Sequence, residues 1–273
     1  MSNILSPKGQ FEPIHSAHAI EQVVFALHFD RPIDDVIFAE VRKASEQFKS
    51  ELPGQIETQG FAFMLGTAVQ APSAGFIFRR VAPDGIVENE LRVDNASITF
   101  RTMLYTRWDA VWSQASKFFK ALSPIYASQV RVSGISINYV DKFAWSGNLA
   151  ACTPSLLLRS GSKYLCPHVF EAKDFWHSHT GAFIRVDSNT KRLLNVNVDY
   201  LDENRSGKIS RIVAITTVLT DQLDQQGYDP YVAEGSDIIK LVDVHMQGMH
   251  IFGKSVFGDI INDEMSKRIA LVE

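Results

Sequence analysis

The sequence predicts a mixed α+β protein in which long helices pack on one face of an extended antiparallel sheet. Three observations predict this class. Runs of β-branched and aromatic residues are separated by short turn signals, and three other stretches show helical spacing of apolar residues. The composition, with 45% hydrophobic and 21% charged residues, is typical of a globular domain. It excludes collagen-like, low-complexity and wholly disordered chains.

The first half of the chain is predicted to begin with a strand and an amphipathic helix. Residues 19–29 are rich in β-branched and aromatic side chains, which favours a strand. From Asp34 to Phe48, apolar side chains recur every three or four residues, and Pro53 and Gly54 end the pattern. We therefore expect a strand followed by a helix.

A strand-rich block follows, with turn signals that are typical of an antiparallel meander. Helical spacing then returns between Trp108 and Leu122, and Ser123 with Pro124 is expected to end that helix. The strands predicted around this helix are residues 56–69, 75–81, 86–93, 97–105 and 129–144.

The second half is predicted to repeat this order of elements. A loop at residues 221–235 is expected before a closing helix, which begins after Ser236 as N-cap and extends to Val256. A single helical turn is expected at residues 155–158. The strands predicted in this half are residues 163–172, 181–187, 193–201 and 210–219.

Two similar five-residue segments suggest an internal duplication. They read Gly-Phe-Ile-Phe-Arg at residues 75–79 and Gly-Ala-Phe-Ile-Arg at residues 181–185, each inside a predicted meander. No Pro-rich or Gly- and Ser-rich linker separates the halves. We therefore expect a single α+β domain over residues 1–273, with pseudo-repeat halves at 19–145 and 155–262.

Charge and hydropathy narrow the classes of partner and compartment. The 27 Lys and Arg against 31 Asp and Glu give a net charge of −4, and no basic run is present, so nucleic-acid binding is not favoured. A nucleic-acid role would need a local cluster of arginines on the first meander, namely Arg79, Arg80, Arg92 and Arg101. No signal peptide or apolar segment of membrane-spanning length is present, so we expect a cytoplasmic protein with no membrane partner.

The sequence lacks the common catalytic and nucleotide-binding motifs. There is no Gly-rich phosphate loop, no dinucleotide-binding fingerprint, no nucleophile elbow and no zinc-protease helix. We therefore predict no cofactor. The expected partner is a protein or a small-molecule ligand, and the oligomeric state is left open.

One cluster of thiol and imidazole groups offers a metal-binding alternative. Cys166 and His168 precede His177 and His179, and these are ligand types that zinc prefers. Two histidines at i and i+2 of a strand share one face. The spacing fits no zinc class, however, so the favoured interpretation is two ordinary histidines and a free thiol, with no metal site. Cys152 is also interpreted as a free thiol.

A second set of candidate residues lies on the strand predicted at residues 129–144. Tyr139 and Asp141 share one face of it, and Lys142 lies on the opposite face. The sequence therefore nominates Tyr139, Asp141, His177 and His179 as ligand-binding residues, and no catalytic residue. If Tyr139 and Asp141 are buried with hydrogen bonds to the backbone alone, this interpretation fails.

Other aromatic and imidazole side chains fit a structural role better. Trp108 and Trp112 stand four residues apart on one helix, a spacing that anchors a helix on its neighbour more often than it forms a ligand shelf. His245 and His250 of the closing helix are interpreted as core or boundary histidines.

Three stretches resemble a sporadically distributed family of uncharacterised bacterial and archaeal proteins of about 250 residues. They are residues 19–29, residues 137–143, and the segment from His250 through Phe257 to Glu264. Asp141 stands where that family's pattern has Asn, and Asn138 where it often has Arg. The resemblance implies no established activity. The patchy distribution implies a conditional role, such as an accessory protein of a defence or mobile genetic island.

These observations favour a non-enzymatic binding or sensing module over an enzyme. The alternative is an enzyme with dispersed active-site residues, either dependent on a metal at Cys166, His168, His177 and His179 or acting through the Tyr139 and Asp141 strand. Convergent polar groups with shifted pKa values in the deepest cavity would indicate a ligand site or active site. A dominant apolar surface patch would indicate a protein partner.

Overall fold

A large antiparallel sheet forms the framework of the protein. The structure, a computed structural model, describes residues 9–33, 35–59, 63–64, 67–68, 73–127, 130–205, 207–223 and 238–271. Within these ranges lie a ten-stranded antiparallel sheet, a separate two-stranded ribbon and four α-helices. The predicted mixed α+β class with a large antiparallel sheet is therefore confirmed.

The described part of residues 11–127 contains eight strands and two helices. A 3₁₀ turn at Ser45–Phe48 continues the first helix. The elements are β1 Phe11–Pro13, β2 Ile20–Phe29, α1 Asp35–Ala44, β3 Gly54–Gln59, β4 Phe63–Met64, β5 Thr67–Ala68, β6 Ser73–Val81, β7 Val87–Asp94, β8 Ser97–Thr102 and α2 Trp108–Ala127.

The described part of residues 132–268 contains four long strands and two helices. Three short 3₁₀ turns connect the first two strands, at Leu149–Ala151, Pro154–Leu156 and Pro167–Phe170. The elements are β9 Val132–Trp145, β10 Trp176–Arg185, β11 Thr190–Arg205, β12 Lys208–Leu223, α3 Ile238–Ile260 and α4 Asp263–Arg268.

The strand order places β2 and β9 at the centre of the sheet. The order is β10-β11-β12-β9-β2-β8-β7-β6-β3, with β1 paired to β9, while β4 and β5 form the separate ribbon. Outward from the central β2 and β9, one side therefore reads β2-β8-β7-β6 and the other β9-β12-β11-β10. The segments at residues 75–79 and 181–185 lie in β6 and β10, which occupy matching places in these two series.

The alternation of β9 separates the two faces of the sheet. Ile137, Tyr139, Asp141 and Phe143 are buried, and the residues between them are partly exposed. We call the face that carries these four residues the core face and the opposite one the outer face. Helix α3 packs against β9 and β12. A Cβ at Gly253 of α3 would lie 3.7 Å from the Tyr139 ring, an ordinary van der Waals distance, so α3 passes directly over Tyr139 at this point.

Two tryptophans join α2 to α3. Trp108 Nε1 donates to Gln247 Oε1 at 2.7 Å, and Trp112 Nε1 donates to Asp243 Oδ1 at 2.8 Å. Both indoles are largely or partly buried, which agrees with their predicted role as helix anchors. No helix in the described ranges is long and apolar enough to span a membrane.

The predicted end of α2 at Ser123 and Pro124 is wrong, because the helix continues to Ala127. Proline has no N–H, so the Lys120 carbonyl loses its usual helical hydrogen bond. The Ser123 hydroxyl donates to that carbonyl at 3.3 Å. A serine directly before the proline thus satisfies the carbonyl group that the proline leaves without a partner.

The strand predicted at residues 163–172 is also wrong, since the segment forms turns and the 3₁₀ turn Pro167–Phe170. Pro167 cannot donate to a strand ladder and is well suited to begin a turn. The strand predicted at 56–69 is divided, and only β3, β4 and β5 of it are described. The predicted N-cap Ser236 and most of the loop at 221–235 lie outside the described residues, while residues 221–223 belong to β12.

Candidate ligand-binding site

A carboxylic acid occupies a core position in the middle of the sheet. Asp141 stands on the core face of β9 between Tyr139 and Phe143, where the alternation of the strand otherwise places large apolar or aromatic side chains. Its cross-strand neighbours are Ile215 of β12 and Ile20 of β2. Aspartate is rarely so buried without a partner, so this position departs from the local pattern.

The Asp141 side chain has no polar partner among the residues that the structure describes. The residue is 4% exposed, and no residue in the described ranges donates a hydrogen bond to its carboxyl group. Burial alone raises the pKa of Asp141 to about 8, because removal from water penalises the charged form. Asp141 is therefore mainly protonated and neutral at pH 7.

A second buried aspartate provides an internal comparison. Asp221 of β12 is fully buried, and Arg192 of β11 donates to its two carboxylate oxygens at 2.6 and 2.8 Å. His245 Nδ1 of α3 lies 2.8 Å from Asp221 Oδ2. Burial by itself raises the pKa of Asp221, but these hydrogen bonds outweigh it and hold the pKa below its ordinary value. Described residues thus satisfy the buried carboxylate of Asp221, and none of them pairs with that of Asp141.

Asp141 opens into a cavity of about 630 Å³ between the core face and α3. This volume is in the range that accommodates a small organic molecule. We call it the Asp141 cavity. Its lining residues come from β2, β9, β12, α2 and α3 and from the segments that precede β2, precede α2 and follow α4: His18, Ala19, Ile20, Tyr105, Arg107, Trp108, Asp109, Tyr139, Asp141, Thr217, Gln247, His250, Ile251, Gly253, Lys254, Phe257, Ile269, Ala270 and Leu271.

A buried tyrosine and a partly buried histidine form a hydrogen-bonded pair beside Asp141. Tyr139 Oη lies 2.9 Å from His250 Nδ1, and the imidazole stacks on Trp108 with centroids 4.1 Å apart and planes 3° apart. Burial, with a contribution from Lys254, lowers the pKa of His250 to about 4. Burial also raises the pKa of Tyr139 well above its ordinary value. Both side chains are therefore neutral near pH 7.

A threonine adds an unsatisfied hydroxyl to the same cavity. Thr217 of β12 stands directly opposite Tyr139, is 2% exposed, and its Oγ1 has no hydrogen-bond partner in the part of the chain that the structure describes. Thr217 is thus a diagonal neighbour of Asp141 on the same face. Asp141 and Thr217 both line the cavity and both lack a hydrogen-bond partner among the described side chains, which is the pattern expected of a ligand site.

Charged side chains surround the opening of the cavity. Arg107 and Lys254 are exposed, and neither makes an ion pair or a side-chain hydrogen bond with any described residue. Asp109 is the acidic residue beside them. Burial and the nearby Asp141 raise the pKa of Tyr105 to about 12, so this phenol is also neutral. The opening therefore carries two cationic side chains above a neutral interior.

The structure brings Tyr139 and Asp141 together but places His177 and His179 elsewhere. Ser178 belongs to the same cross-strand row as Asp141, through β11 and β12, so the histidines that flank it lie on the outer face. They are exposed on the edge strand β10, and His177 Nδ1 lies 2.7 Å from Asp199 Oδ1. The four predicted ligand-binding residues therefore belong to two separate places.

The thiol and imidazole residues considered for metal binding do not form a cluster. Cys166 is partly exposed and precedes the 3₁₀ turn that contains His168. Within the described ranges, no group of three or more His, Cys, Asp or Glu side chains is arranged to hold a metal ion. His177 and His179 share an exposed face, but no third ligand from this set joins them.

The outer face carries polar side chains that are paired with one another. Lys142 lies there, as the alternation predicts, and its Nζ is 2.7 Å from Glu203 and 2.8 Å from Glu21. Three of the four arginines considered for nucleic-acid binding share this face in neighbouring strands, around Glu90. Arg80 is on the other face and donates to the backbone carbonyls of residues 50 and 51. The four arginines thus form no common patch.

Sequence reasoning missed most of the cavity. The sequence patterns indicate structural roles for Trp108 and His250. They do not single out Thr217, Arg107 or Lys254. His245 does have the satisfied boundary role predicted for it, through Asp221. The missing information was the pairing of β9 with β12 and the packing of α3 above them, which no local pattern contains.

A scan against protein-family models and a search of the curated proteins both find no match to this chain. Only the geometry and chemistry of the Asp141 cavity therefore indicate the class of site.

Proposed function

We propose that this protein is a non-enzymatic binding or sensing module that takes a small molecule into the Asp141 cavity. One observation carries the proposal: a buried aspartate, to which no described residue donates a hydrogen bond, lines a cavity of ligand size. Buried polar groups are normally hydrogen-bonded, and the exceptions require an explanation such as a ligand. Groups with strongly perturbed pKa values in a cavity are likewise typical of functional sites.

Energetics supports the same proposal. An asparagine at position 141 would have the same shape without the cost of keeping a proton on a buried acid. A carboxyl group that destabilises the folded chain is the kind of residue retained for function at the expense of stability. The paired Asp221 on the same face needs no such explanation, because Arg192 and His245 satisfy it.

A thermal-shift screen tests the proposal. Purified protein is heated with a library of small polar metabolites, beside the Asp141→Asn variant and a matched control, Asp199→Asn, which makes the same chemical change on the outer face. A ligand at a hundred times its Kd stabilises by about 2.7 kcal/mol, or several degrees for a chain of this size. We expect such shifts in the parent protein and the control. Shifts that persist unchanged in Asp141→Asn, or none with any compound, contradict the proposal.

One observation favours an enzyme as the second candidate. Asp141 and His250 line one cavity with pKa values of about 8 and about 4, so near neutral pH the aspartic acid holds a proton and the imidazole is free to accept one. Pairs of groups whose environments separate their pKa values in this way are suited to acid and base roles. Turnover of a compound that binds in the screen, followed by mass spectrometry, would favour the enzyme.

The proposal also includes broader expectations from the sequence, on location, family, biological role and internal duplication. We propose a cytoplasmic protein that belongs to the sporadically distributed family described above and acts as an accessory protein of a defence or mobile genetic island. We also propose that residues 19–145 and 155–262 are duplicated halves whose long helices pack on one face of the sheet. The matching strand orders, and the position of the two similar segments in β6 and β10, support a duplication in which β9 begins the second repeat, so that the boundary lies before Val132 and not after residue 145.

A further inference from the structure

We infer that the ligand of the Asp141 cavity is a small zwitterion, with a primary ammonium group held at Asp141 and an anionic group held at Arg107 and Lys254. This inference rests on the proposed binding function and specifies the chemistry of the ligand. It follows from the positions of hydrogen-bond acceptors at the inner end of the cavity and of cationic side chains at its opening.

The inner end of the cavity presents oxygen atoms that can accept hydrogen bonds. Neither Asp141 nor Thr217 makes a side-chain hydrogen bond with a described residue, and Tyr139 lies directly opposite Thr217 on the neighbouring strand. A phenol oxygen has two lone pairs, so Tyr139 Oη retains at least one acceptor site whichever atom donates in its bond to His250. The three residues are neighbours on one face of the sheet, and their oxygens can accept the kind of hydrogen bond that a primary ammonium group, with its three N–H donors, offers.

The carboxyl group makes an ammonium a better partner than a neutral donor. A charge-assisted hydrogen bond is roughly twice as strong as a neutral one, and an opposite charge within about 4–6 Å favours the ionised carboxylate. The aromatic rings of Tyr105, Trp108 and Tyr139 also line the cavity. Aromatic faces attract cations and exclude water from the ion pair.

The opening of the cavity requires the opposite charge on the other end of the ligand. Arg107 and Lys254 are cations without ion-pair partners in the described residues, and Asp109 offsets only one of the two. A simple amine would pass these cations and gain nothing from them. A ligand with a carboxylate or phosphate at its outer end gains an attraction there.

Binding of an ammonium group must release a proton from Asp141. The other ionisable groups that line the cavity and face Asp141 from the packed elements are His18, Tyr105, Arg107, Asp109, Tyr139, His250 and Lys254. Of these, burial lowers the pKa of His18 and His250 and raises that of both tyrosines, so all four are neutral at pH 7 and supply no counter-charge. With a pKa of about 8, Asp141 is about 90% protonated at pH 7, so about 0.9 proton leaves per ligand bound.

Calorimetry with a defined panel tests the inference. The zwitterions are γ-aminobutyrate, ε-aminocaproate and phosphoethanolamine, which differ in length and distinguish a carboxylate from a phosphate. Butylamine and butyrate are the matched compounds that each lack one charge. Titrations in two buffers of different ionisation enthalpy give the number of protons released. Below pH 8 we expect affinity to rise about tenfold per pH unit, and to level off above it.

Three variants separate the two ends of the ligand. Asp141→Asn should abolish proton release and weaken zwitterion binding about 30-fold or more. Thr217→Val, which keeps the shape of the side chain, should weaken it about fivefold and leave proton release unchanged. Arg107→Gln should weaken zwitterion binding about fivefold and leave butylamine binding unchanged. The Asp199→Asn control should behave as the parent protein.

The outcomes separate this inference from the proposed function. Zwitterion binding with proton release that Asp141→Asn abolishes supports both. If uncharged compounds from the thermal-shift screen bind in the cavity, and every zwitterion fails to bind or binds without releasing a proton, the inference is overturned while the binding function stands. If nothing binds in either assay, both are overturned.

Discussion

Replacement of Asp141 by asparagine should stabilise the protein at neutral pH. Burial raises the pKa of Asp141 from 3.8 to about 8. Between these two pH values the folded chain keeps a proton that the unfolded chain releases, so the free energy of unfolding falls as the pH rises. Below pH 4 both states are protonated and the aspartate carries no such penalty. Above pH 8 the penalty is complete and constant.

The size of this effect follows from the same pKa. At pH 7 the interval above the unfolded value is 7 − 3.8, about 3.2 pH units, and each unit corresponds to about 1.36 kcal/mol, so the penalty reaches up to about 4 kcal/mol. Asparagine has nearly the same volume and cannot ionise. Because Asp141 accepts no hydrogen bond from a described residue, the amide breaks none.

Denaturant unfolding of both proteins between pH 4 and 8 measures the effect. The difference in unfolding free energy between Asp141→Asn and the parent should be near zero at pH 4 and rise steadily toward pH 7. The slope m should be the same for both proteins. Asp199→Asn, which affects an exposed pair, should stay within about 1 kcal/mol of the parent throughout. A constant difference across this range, or a less stable variant at pH 7, would show that Asp141 does not lower the free energy of unfolding through a raised pKa.

Three further substitutions test other contacts. Tyr139→Phe leaves His250 Nδ1 without its partner and should lower the free energy of unfolding by about 1–2 kcal/mol in urea, whereas no change would mean that the hydrogen bond at 2.9 Å has no net value. Arg192→Met leaves the charge of Asp221 buried and should cost about 3–5 kcal/mol by the same measurement; a loss below 1 kcal/mol would contradict the pairing. Ala270 has a left-handed φ of 50°, so Ala270→Gly should gain about 1 kcal/mol and raise the Tm, and a lower Tm would show that the methyl group is needed.

Much of the framework could be predicted from local patterns, because strand alternation and helical spacing are properties of short segments. The exceptions show where local rules fail. Pro124 ends a helix by rule, yet the hydroxyl of Ser123 satisfies the free carbonyl and the helix continues. Apolar residues around Pro167 predict a strand, but Pro167 has no N–H to donate to a strand ladder, and it begins a 3₁₀ turn instead.

The site could be predicted only in part. Alternation along one strand was enough to place Tyr139 and Asp141 on a common face. It could not show that Thr217 would stand opposite, since that depends on pairing with a strand some eighty positions later in the chain. His177 looked like a candidate because of its residue type, but neighbouring strands place it on the outer face, paired with Asp199.

A crystal structure of the protein with the tightest-binding compound from the two assays is the most direct test of the central claim. The compound should occupy the Asp141 cavity, with a donor nitrogen within hydrogen-bond distance of the Asp141 carboxylate and of Thr217 Oγ1. A compound bound elsewhere on the protein, with Asp141 touching no ligand atom, would contradict it.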